Sequence, residues 1–348
     1  QETAAVARYN RAAVLYGAGG LGAQERLVPQ PGERGVLGQV RSVGICGSDL
    51  PYYEHGRIGD FGVKASLVLG QEPSGAVLEA GPGASEHSLG QWVATERGVP
   101  CGVCRECRSG HYDLCPYAAF FGTLPVEGAL AEYVTTREDF AYVLPQSASD
   151  DAGALLEAFS AGLWAWEKAN ACANAQVAVA GAGPIGAVLT LVAQAGGIAE
   201  VVVRDPWVAR GQRALDLGAT AAVDPAVTSL ADAASGAEVF FDCLGSPKVV
   251  EDGINALRPK GTAVLIGMSP EPVSPLPLAR VQTREIWLTG TFRYANTYPR
   301  AVTLAASGAI DLDGLVDARF TLEESEQALT ASRRDPAVLK PLVRVSAP

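Results

Sequence analysis

The chain has 348 residues, of which 48% are apolar, and its formal net charge at neutral pH is −11. This length is enough for two domains, each with its own core. No stretch of about eighteen residues lacks polar or helix-breaking side chains, which argues against a membrane span. The chain also lacks the clustered Lys and Arg of a nucleic-acid-binding surface. We therefore predict a small-molecule ligand and neither a membrane nor a nucleic-acid partner.

Cysteine usage indicates the compartment. The seven cysteines are an odd number, and no charged region, apolar region and cleavage site of a secretory signal opens the chain. Both observations favour a reducing environment, in which thiols stay free. We expect a cytoplasmic protein.

The first 150 residues contain short apolar runs separated by Gly and Pro. Examples are RAAVLYG (11–17), GVLGQVRSVG (35–44) and SGAVLEAG (74–81). Short alternating runs at this spacing predict an antiparallel β domain.

Within this β-rich part, the stretch CGVCRECRSGHYDLC (101–115) holds four cysteines in the spacing C-x2-C-x2-C-x7-C. They are Cys101, Cys104, Cys107 and Cys115. Four thiolates at such short spacings can close a tetrahedron around Zn²⁺ with no open position, which predicts a structural zinc site. Disulfides and an iron–sulfur cluster are the alternatives. The inferred compartment disfavours disulfides, and nothing else in the sequence points to electron transfer.

From about Asp150 the pattern changes to alternating strands and helices. The stretch SDDAGALLEAFSAGLWAWEKA (149–169) has apolar positions at helical spacing behind an N-capping side chain. It is followed by a strand, AQVAVA (175–180), then a glycine turn and a further helix. More short apolar strands separated by helical patterns follow, which predicts a parallel, doubly wound sheet.

The glycine turn GAGPIG (181–186) lies between a predicted strand and a predicted helix, which is the setting of a dinucleotide-binding turn. Gly181 permits the tight turn, Gly183 lets the backbone approach a pyrophosphate, and Gly186 lets helix and strand pack closely. The helix that starts at Pro184 and Ile185 offers its N-terminus to the phosphates. A Rossmann dinucleotide-binding domain is therefore predicted.

The choice between NAD and NADP depends on the end of the next strand. Asp205 lies there, nineteen residues after Gly186, where an acid binds the adenosine ribose and repels a 2′-phosphate. We therefore expect NAD. Arg204 and Arg210 keep NADP as the alternative, and Asp205 as a helix cap with Arg210 as a surface charge is the alternative without a cofactor role.

Five stretches occur together with the four-cysteine lobe: GICGSD (44–49), VLGQEPSG (68–75), LLEAFSAG (155–162), GAGPIG (181–186) and FRYANTYPRA (292–301). In this combination and order the chain resembles the zinc-type medium-chain dehydrogenase/reductase family, and within it the branch of sorbitol and xylitol (polyol) dehydrogenases.

The resemblance implies an α/β protein with the active site in a cleft between two domains. A GroES-like, β-rich catalytic domain would span 1–154 and include the zinc lobe at about 97–118. A Rossmann domain would span 155–290, and 291–348 would return to complete the catalytic domain.

The resemblance also implies a catalytic zinc held by Cys46, by residue 71 and by Glu72, with a water shared with Glu157. In the polyol branch residue 71 is a histidine, but here it is Gln71, whose neutral amide oxygen is a poorer zinc ligand than imidazole. Pro51 also stands where the branch has a histidine that assists proton movement.

Two interpretations of this site remain open at the level of sequence. In the first, Cys46, Gln71 and Glu72 still hold zinc, with Glu157 as a fourth ligand. In the second, the site is metal-free, and Ser48, Tyr52 or Glu157 moves the proton. His55 is near enough in sequence to replace the missing imidazole, although a loop position fits it better.

On the substrate side, the resemblance places Arg293, Tyr294, Tyr52 and Phe120 near the bound substrate. Each of them could instead serve packing alone.

We therefore expect an enzyme, an NAD(P)-dependent oxidoreductase that transfers hydride between nicotinamide and the secondary alcohol or ketone of a polyol, a sugar or an aminocyclitol. One alternative is a metal-free, NADPH-dependent ketone reductase of specialised metabolism. Another is a non-catalytic dinucleotide-binding protein with a decayed zinc site. Because the polyol branch is often tetrameric, we expect a homodimer or homotetramer.

Overall fold

The chain forms two compact units. A computed structural model describes residues 8–58, 61–172, 174–269 and 272–346. The first unit comprises Gln1–Glu157 and Tyr298–Pro348, and the second comprises Ala158–Thr297. Among the described residues, no helix is both long and apolar enough to cross a membrane.

The amino-terminal part of the first unit consists mainly of short strands. These are β1 (Tyr9–Gly17), β2 (Gly20–Leu27), β3 (Gly35–Gly44), β4 (Arg57–Ile58), β5 (Phe61–Gly62), β6 (Leu67–Val68), β7 (Glu72–Ala80), β8 (Trp92–Thr95), β9 (Gly98–Val99), β10 (Ala119–Phe120), β11 (Tyr133–Arg137) and β12 (Ala141–Val143). The helices of this part are α1 (Asp49–His55), α2 (Arg105–Arg108) and the long α3 (Asp150–Ala169), whose later residues belong to the second unit.

The second unit alternates strands and helices, as the sequence predicts. Its strands are β13 (Gln176–Ala180), β14 (Glu200–Arg204), β15 (Ala221–Val223), β16 (Ala237–Asp242), β17 (Leu257–Leu265) and β18 (Trp287–Gly290). Its helices after α3 are α4 (Pro184–Ala195), α5 (Val208–Asp216), α6 (Leu230–Ala233), α7 (Pro247–Ala256) and α8 (Leu278–Thr283). The strands form a parallel sheet in the order β15-β14-β13-β16-β17-β18, which is the order of the dinucleotide-binding fold. Its central strands are buried runs of small and β-branched residues, as a sheet covered on both faces requires.

The carboxyl-terminal segment completes the first unit. It contains α9 (Tyr298–Ala306), β19 (Val316–Thr321), α10 (Ser325–Arg334) and β20 (Lys340–Arg344). The main sheet of this unit runs β12-β8-β7-β3-β20-β19, and β11 also pairs with β3. Strand β20 lies antiparallel to the end of β3, with Leu342 opposite Gly44, so its first residues lie next to the turn that follows β3. The predicted α/β class, a β-rich part and a doubly wound parallel sheet, is confirmed.

Candidate active site

Three side chains that the resemblance singled out meet in a buried cluster of the first unit. Cys46 follows β3, Glu72 begins β7 opposite Gly44, and Glu157 lies on α3. The sulfur and the nearest carboxylate oxygens all lie within 4.8 Å of one another. Glu72 and Glu157 are almost fully buried. Burial, reinforced by the charge of Glu72, raises the pKa of the Cys46 thiol to about 12.

Gln71 joins this cluster, but both ends of its amide are engaged by other side chains. Its Oε1 accepts a hydrogen bond of 2.5 Å from Arg97 Nη1, and its Nε2 donates to Asp49 Oδ1 at 3.4 Å. The side chain is buried. Gln71 thus bridges a cation and a carboxylate, which accounts for a polar amide in a buried position.

Arg97 places its guanidinium among these side chains. It lies between β8 and β9, and its side chain is 16% exposed. Nε forms an ion pair of 3.0 Å with Glu157 Oε1, and Nη1 lies 3.9 Å from Cys46 Sγ in addition to its bond to Gln71. One guanidinium therefore contacts Cys46, Gln71 and Glu157.

Lys340 makes the corresponding contact with Glu72. It opens β20, next to the turn after β3, and is fully buried. Its Nζ lies 2.8 Å and 2.5 Å from the two carboxylate oxygens of Glu72, and it also donates to the carbonyl oxygen of Ile45 at 2.9 Å. Burial is the largest single influence and lowers the pKa of Lys340, but the charges of Glu72, Cys46 and Glu157 and the hydrogen bond to Glu72 together outweigh it, and the net shift is upward.

The four side chains that would hold a catalytic zinc do not fit that metal in this arrangement. Each of them contacts Arg97 or Lys340. A Zn²⁺ ion about 4 Å from either cation would meet a repulsion of about 8 kcal/mol at an effective dielectric constant of about 20. The oxygen atom through which Gln71 would bind a metal is already the acceptor for Arg97.

The turn after β3 is held by Asp49 and carries Ser48. Asp49 is fully buried and accepts the backbone N–H groups of Cys46 at 3.0 Å and of Gly70 at 3.3 Å. Burial raises the pKa of Asp49 to about 6, and these hydrogen bonds oppose the shift. Ser48 is half-buried, and its hydroxyl donates to Cys46 Sγ at 3.1 Å. Ser48 therefore places a hydroxyl directly against the sulfur of Cys46.

Helix α1 carries the other candidates that the sequence offered. Tyr52 is 3% exposed and belongs to the apolar core of the first unit. The side chain of His55 is 69% exposed, and its ring lies 3.8 Å from the carboxylate of Glu54. His55 is thus an exposed residue at the end of the helix and does not replace the missing imidazole.

Glu96 extends the polar cluster into a group of tyrosines. Its Oε2 accepts the hydroxyls of Tyr142 at 3.0 Å and Tyr112 at 3.3 Å. Burial raises the pKa of Glu96 to about 8, although the two hydroxyls oppose the shift. Tyr142 in turn stacks on Tyr298, with ring centroids 4.9 Å apart. Glu96 and these rings fix the backbone directly before Arg97.

The four predicted zinc ligands of the cysteine lobe lie together. The sulfur atoms of Cys104 and Cys107 are 3.3 Å apart, and that of Cys101 lies 4.0 Å from Cys107 and 3.6 Å from Cys115. A tetrahedral zinc with Zn–S bonds of about 2.3 Å requires sulfur atoms about 3.8 Å apart. All seven cysteines lie within the described residues and are free of disulfides. The lobe therefore fits a closed, structural zinc site.

The glycine turn has the shape that the sequence predicts. Gly181 has a φ of +99°, and a Cβ on Gly186 would lie 1.9 Å from the carbonyl oxygen of Gly181. A Cβ on Gly183 would meet no atom within 4 Å, so the turn is open at the start of α4. Pro184 and Ile185 form the first turn of that helix, where no side chain caps the backbone N–H groups. This cradle fits a dinucleotide pyrophosphate.

The side chain of Asp205 braces this turn. Its Oδ2 accepts the N–H of Ala182 and its Oδ1 the N–H of Trp207, both at 2.9 Å. Arg204 faces Asp252, with Nε 3.6 Å from Oδ2. Arg210 lies on α5 and is partly exposed. Arg204, one of the two arginines that make NADP the alternative cofactor, is thus paired with a carboxylate.

The three remaining substrate candidates lie in different units. Phe120 belongs to the first unit, on β10, where its ring covers Gly98 so closely that a Cβ there would approach it to 2.2 Å. Arg293 and Tyr294 belong to the second unit, after β18. Arg293 has a φ of +58° and stacks over the ring of Phe292 at 4.2 Å, and Tyr294 is 3% exposed.

Sequence reasoning missed Arg97 and Lys340. It followed the positions where the resemblance expects metal ligands, and neither residue is one of them. The available signals were an arginine two residues after a mostly buried strand, in VATERG (93–98), and one of only five lysines at the start of the mostly apolar strand KPLVR (340–344).

Comparisons with known proteins define the class of this chain. Residues 32–146 match the alcohol dehydrogenase GroES-like domain, and residues 184–307 match the zinc-binding dehydrogenase family. Sorbitol dehydrogenase from Rattus norvegicus is 39% identical over 93% of this chain and 93% of its own. The structure of L-idonate 5-dehydrogenase from Escherichia coli has a TM-score of 0.90 and 27% identity, covering 97% of this chain and 98% of its own. A zinc-binding dehydrogenase from Sinorhizobium meliloti, bound to NADP, has a TM-score of 0.89 and 26% identity over 97% of this chain and 99% of its own.

These matches and the fold describe a two-domain, zinc-binding dehydrogenase. The chain belongs to the zinc-type medium-chain dehydrogenase family, in its sorbitol dehydrogenase-like branch. It is an NAD(P)-dependent alcohol or polyol dehydrogenase of a zinc-binding family. The predictions of family, fold and enzyme class are confirmed.

Proposed function

We propose that this enzyme transfers hydride between NAD and the secondary alcohol or ketone of a polyol, a sugar or an aminocyclitol. The observation that carries the proposal is the 39% identity to a sorbitol dehydrogenase over almost the whole chain, combined with an open dinucleotide turn. The altered cluster around Gln71 supports a specialised substrate rather than sorbitol itself. The acidic charge of −11 is compatible with an aminated one.

The proposal assigns NAD rather than NADP as the cofactor. Bound nicotinamide would supply the hydride acceptor at its ring C4. Asp205 places a carboxylate beside the glycine turn, and the pairing of Arg204 with Asp252 opposes recruitment of Arg204 to a 2′-phosphate. We expect NADH to bind about 100-fold more tightly than NADPH, and the Asp205→Ser variant to narrow that ratio. Fluorescence titration with both nucleotides measures it, and equal affinities in the unaltered enzyme would refute the assignment.

We propose that Ser48, in the first unit, transfers the proton of the reacting hydroxyl group. Its half-buried hydroxyl adjoins Cys46 and can pass a proton between the substrate oxygen and water. Glu157 orients Arg97, while Tyr52 supports α1 through the core. We also keep Phe120 of the first unit, and Arg293 and Tyr294 of the second unit, as proposed substrate contacts.

The proposal also includes one structural zinc in the cysteine lobe and a homo-oligomer in a reducing cytoplasm. Strand β18 ends the parallel sheet of the described residues, and on it Trp287 is 72% and Leu288 38% exposed. An apolar edge strand of this kind pairs readily with a second copy. Sedimentation of the unaltered enzyme and of a Trp287→Asp variant tests this, with a dimer or tetramer expected to shift towards monomer.

The direct test of function is a substrate panel. The enzyme would be assayed for NADH formation with polyols, cyclitols and aminocyclitols, and for NADH consumption with the matching ketones. Turnover of at least one vicinal polyol or its ketone is expected. NADH binding without turnover across the panel would instead favour a non-catalytic dinucleotide-binding protein. Reduction with NADPH alone would favour the metal-free ketone reductase, an alternative that the cations Arg97 and Lys340 also support.

A further inference from the structure

We infer that Arg97 takes the place of a catalytic metal in this enzyme and supplies the positive charge that stabilises the substrate oxygen during hydride transfer. The inference rests on the proposed function, because it assigns a role within that reaction. It starts from one observation: a single guanidinium contacts three of the four side chains that would surround the metal.

Gln71 and Arg97 are matched to each other. The amide oxygen of Gln71 accepts from Arg97 Nη1 at 2.5 Å, and its amide nitrogen donates to Asp49. A carboxylate at position 71 would satisfy Arg97 but would face Asp49 with like charge. An amide offers an acceptor and a donor from one planar group. Gln71 therefore anchors the guanidinium without neutralising it.

The two carboxylates that would bind a metal each form an ion pair with a side-chain cation. Glu157 is paired with Arg97, and Glu72 is held on both oxygens by Lys340. Removing a partner from a buried ion pair is strongly unfavourable, because the remaining charge is left uncompensated. A metal ion would have to displace two such partners, so the cluster is built to work without one.

The reaction balances with these groups. In alcohol oxidation the carbinol C–H bond breaks, and its hydrogen leaves with both electrons to C4 of the nicotinamide. The O–H bond breaks as well, its proton passes to the hydroxyl of Ser48, and Ser48 releases a proton to water. The electron pair left on oxygen forms the C=O bond. Arg97 remains protonated throughout, and its positive charge stabilises the negative charge that develops on that oxygen. Removal of one such stabilising donor typically lowers kcat by about 10²–10³.

Counting zinc in the unaltered enzyme is the first test. Protein purified without chelator, exposed to excess zinc and desalted should contain one zinc per chain. A Cys104→Ser variant should contain none, which assigns that zinc to the cysteine lobe. Two zinc ions per chain in the unaltered enzyme would overturn the inference. This count is independent of any substrate.

The second test removes the charge. Arg97→Met should lower kcat about 10²–10³-fold while its affinity for NADH stays unchanged. Addition of methylguanidinium to an Arg97→Ala variant, whose short side chain leaves room for it, should restore part of the activity, which a purely structural loss would not allow. Arg319→Met is the matched control, because it takes a guanidinium from the buried carboxylate of Asp151 outside the cluster. Full activity of Arg97→Met would overturn the catalytic role.

The third test rebuilds a metal site. A Gln71→His/Arg97→Ala double variant should gain a second zinc per chain, and its cobalt form should show a thiolate-to-metal absorption that a Cys46→Ser change abolishes. A count that stays at one would mean that Lys340 on Glu72 excludes the metal without Arg97, and it would overturn the assignment of this role to Arg97. If the proposed function were wrong, the result would differ: the unaltered enzyme would contain one zinc per chain but would turn over no substrate of the panel.

Discussion

Replacing Lys340 with methionine should destabilise the first unit far more than the loss of a surface ion pair would. The lysine and Glu72 are each about 2% exposed, and Nζ lies 2.8 Å from Oε1. At an effective dielectric constant of about 20, that separation corresponds to an attraction of about 6 kcal/mol. Desolvation offsets part of it, but breaking one side of a buried pair costs about 3–5 kcal/mol, because the remaining charge is uncompensated. We therefore expect Lys340→Met to lower the free energy of unfolding by about 3–5 kcal/mol.

Urea denaturation followed by circular dichroism measures the effect. The double variant Lys340→Met/Glu72→Gln should be more stable than Lys340→Met by about 2 kcal/mol, since it removes the orphaned charge. Arg333→Met is the surface control, because this arginine pairs with Glu54 at 2.8 Å but is 62% exposed. It should cost less than about 1 kcal/mol. A loss below about 1 kcal/mol for Lys340→Met would show that the pair is weakly coupled and refute the reasoning.

Two further predictions concern the glycine turn of the second unit and the loss of stability at low pH. Gly186→Ala should abolish NADH binding and destabilise the fold, because its Cβ would lie 1.9 Å from the carbonyl oxygen of Gly181. Fluorescence titration with NADH and thermal unfolding measure the two effects. Glu138 has its pKa lowered to about 2 by the backbone N–H of Glu86 and by Arg34. Its stabilising contribution is thus present above the ordinary pKa of about 4.5 and is lost as pH falls towards 2. Melting temperatures of the unaltered enzyme and Glu138→Gln should converge across that range, and a constant difference would contradict this.

The local elements of this fold could be predicted from the sequence. The stretch GVLGQVRSVG is β3 from end to end, and the helical pattern behind Ser149 is α3 to within a residue. The glycine turn was equally readable, because a tight turn between a buried strand and a helix leaves few residue choices. The four cysteines lie together because their spacing alone keeps them within one short lobe.

The contents of the active site could not be predicted from local patterns. The contact between Lys340 and Glu72 joins residues 268 positions apart, and no periodicity reports such a pair. Arg97 follows a strand and resembles any exposed arginine until the neighbouring chain segments are assembled. Tyr52 shows that a matched position can also mislead. The resemblance suggests a substrate contact for Tyr52, but its ring packs in the apolar core.

The position of Lys340 on the final strand has a consequence for biosynthesis. Glu72 and Cys46 leave the ribosome long before this lysine, and the second unit is synthesised between them. The pairing of β20 with β3 is a non-local contact that closes a chain loop containing this unit, and contacts of this kind form slowly. Until then, the carboxylate of Glu72 lacks its cationic partner. The ion pair between Lys340 and Glu72 therefore forms only after the second unit has been synthesised.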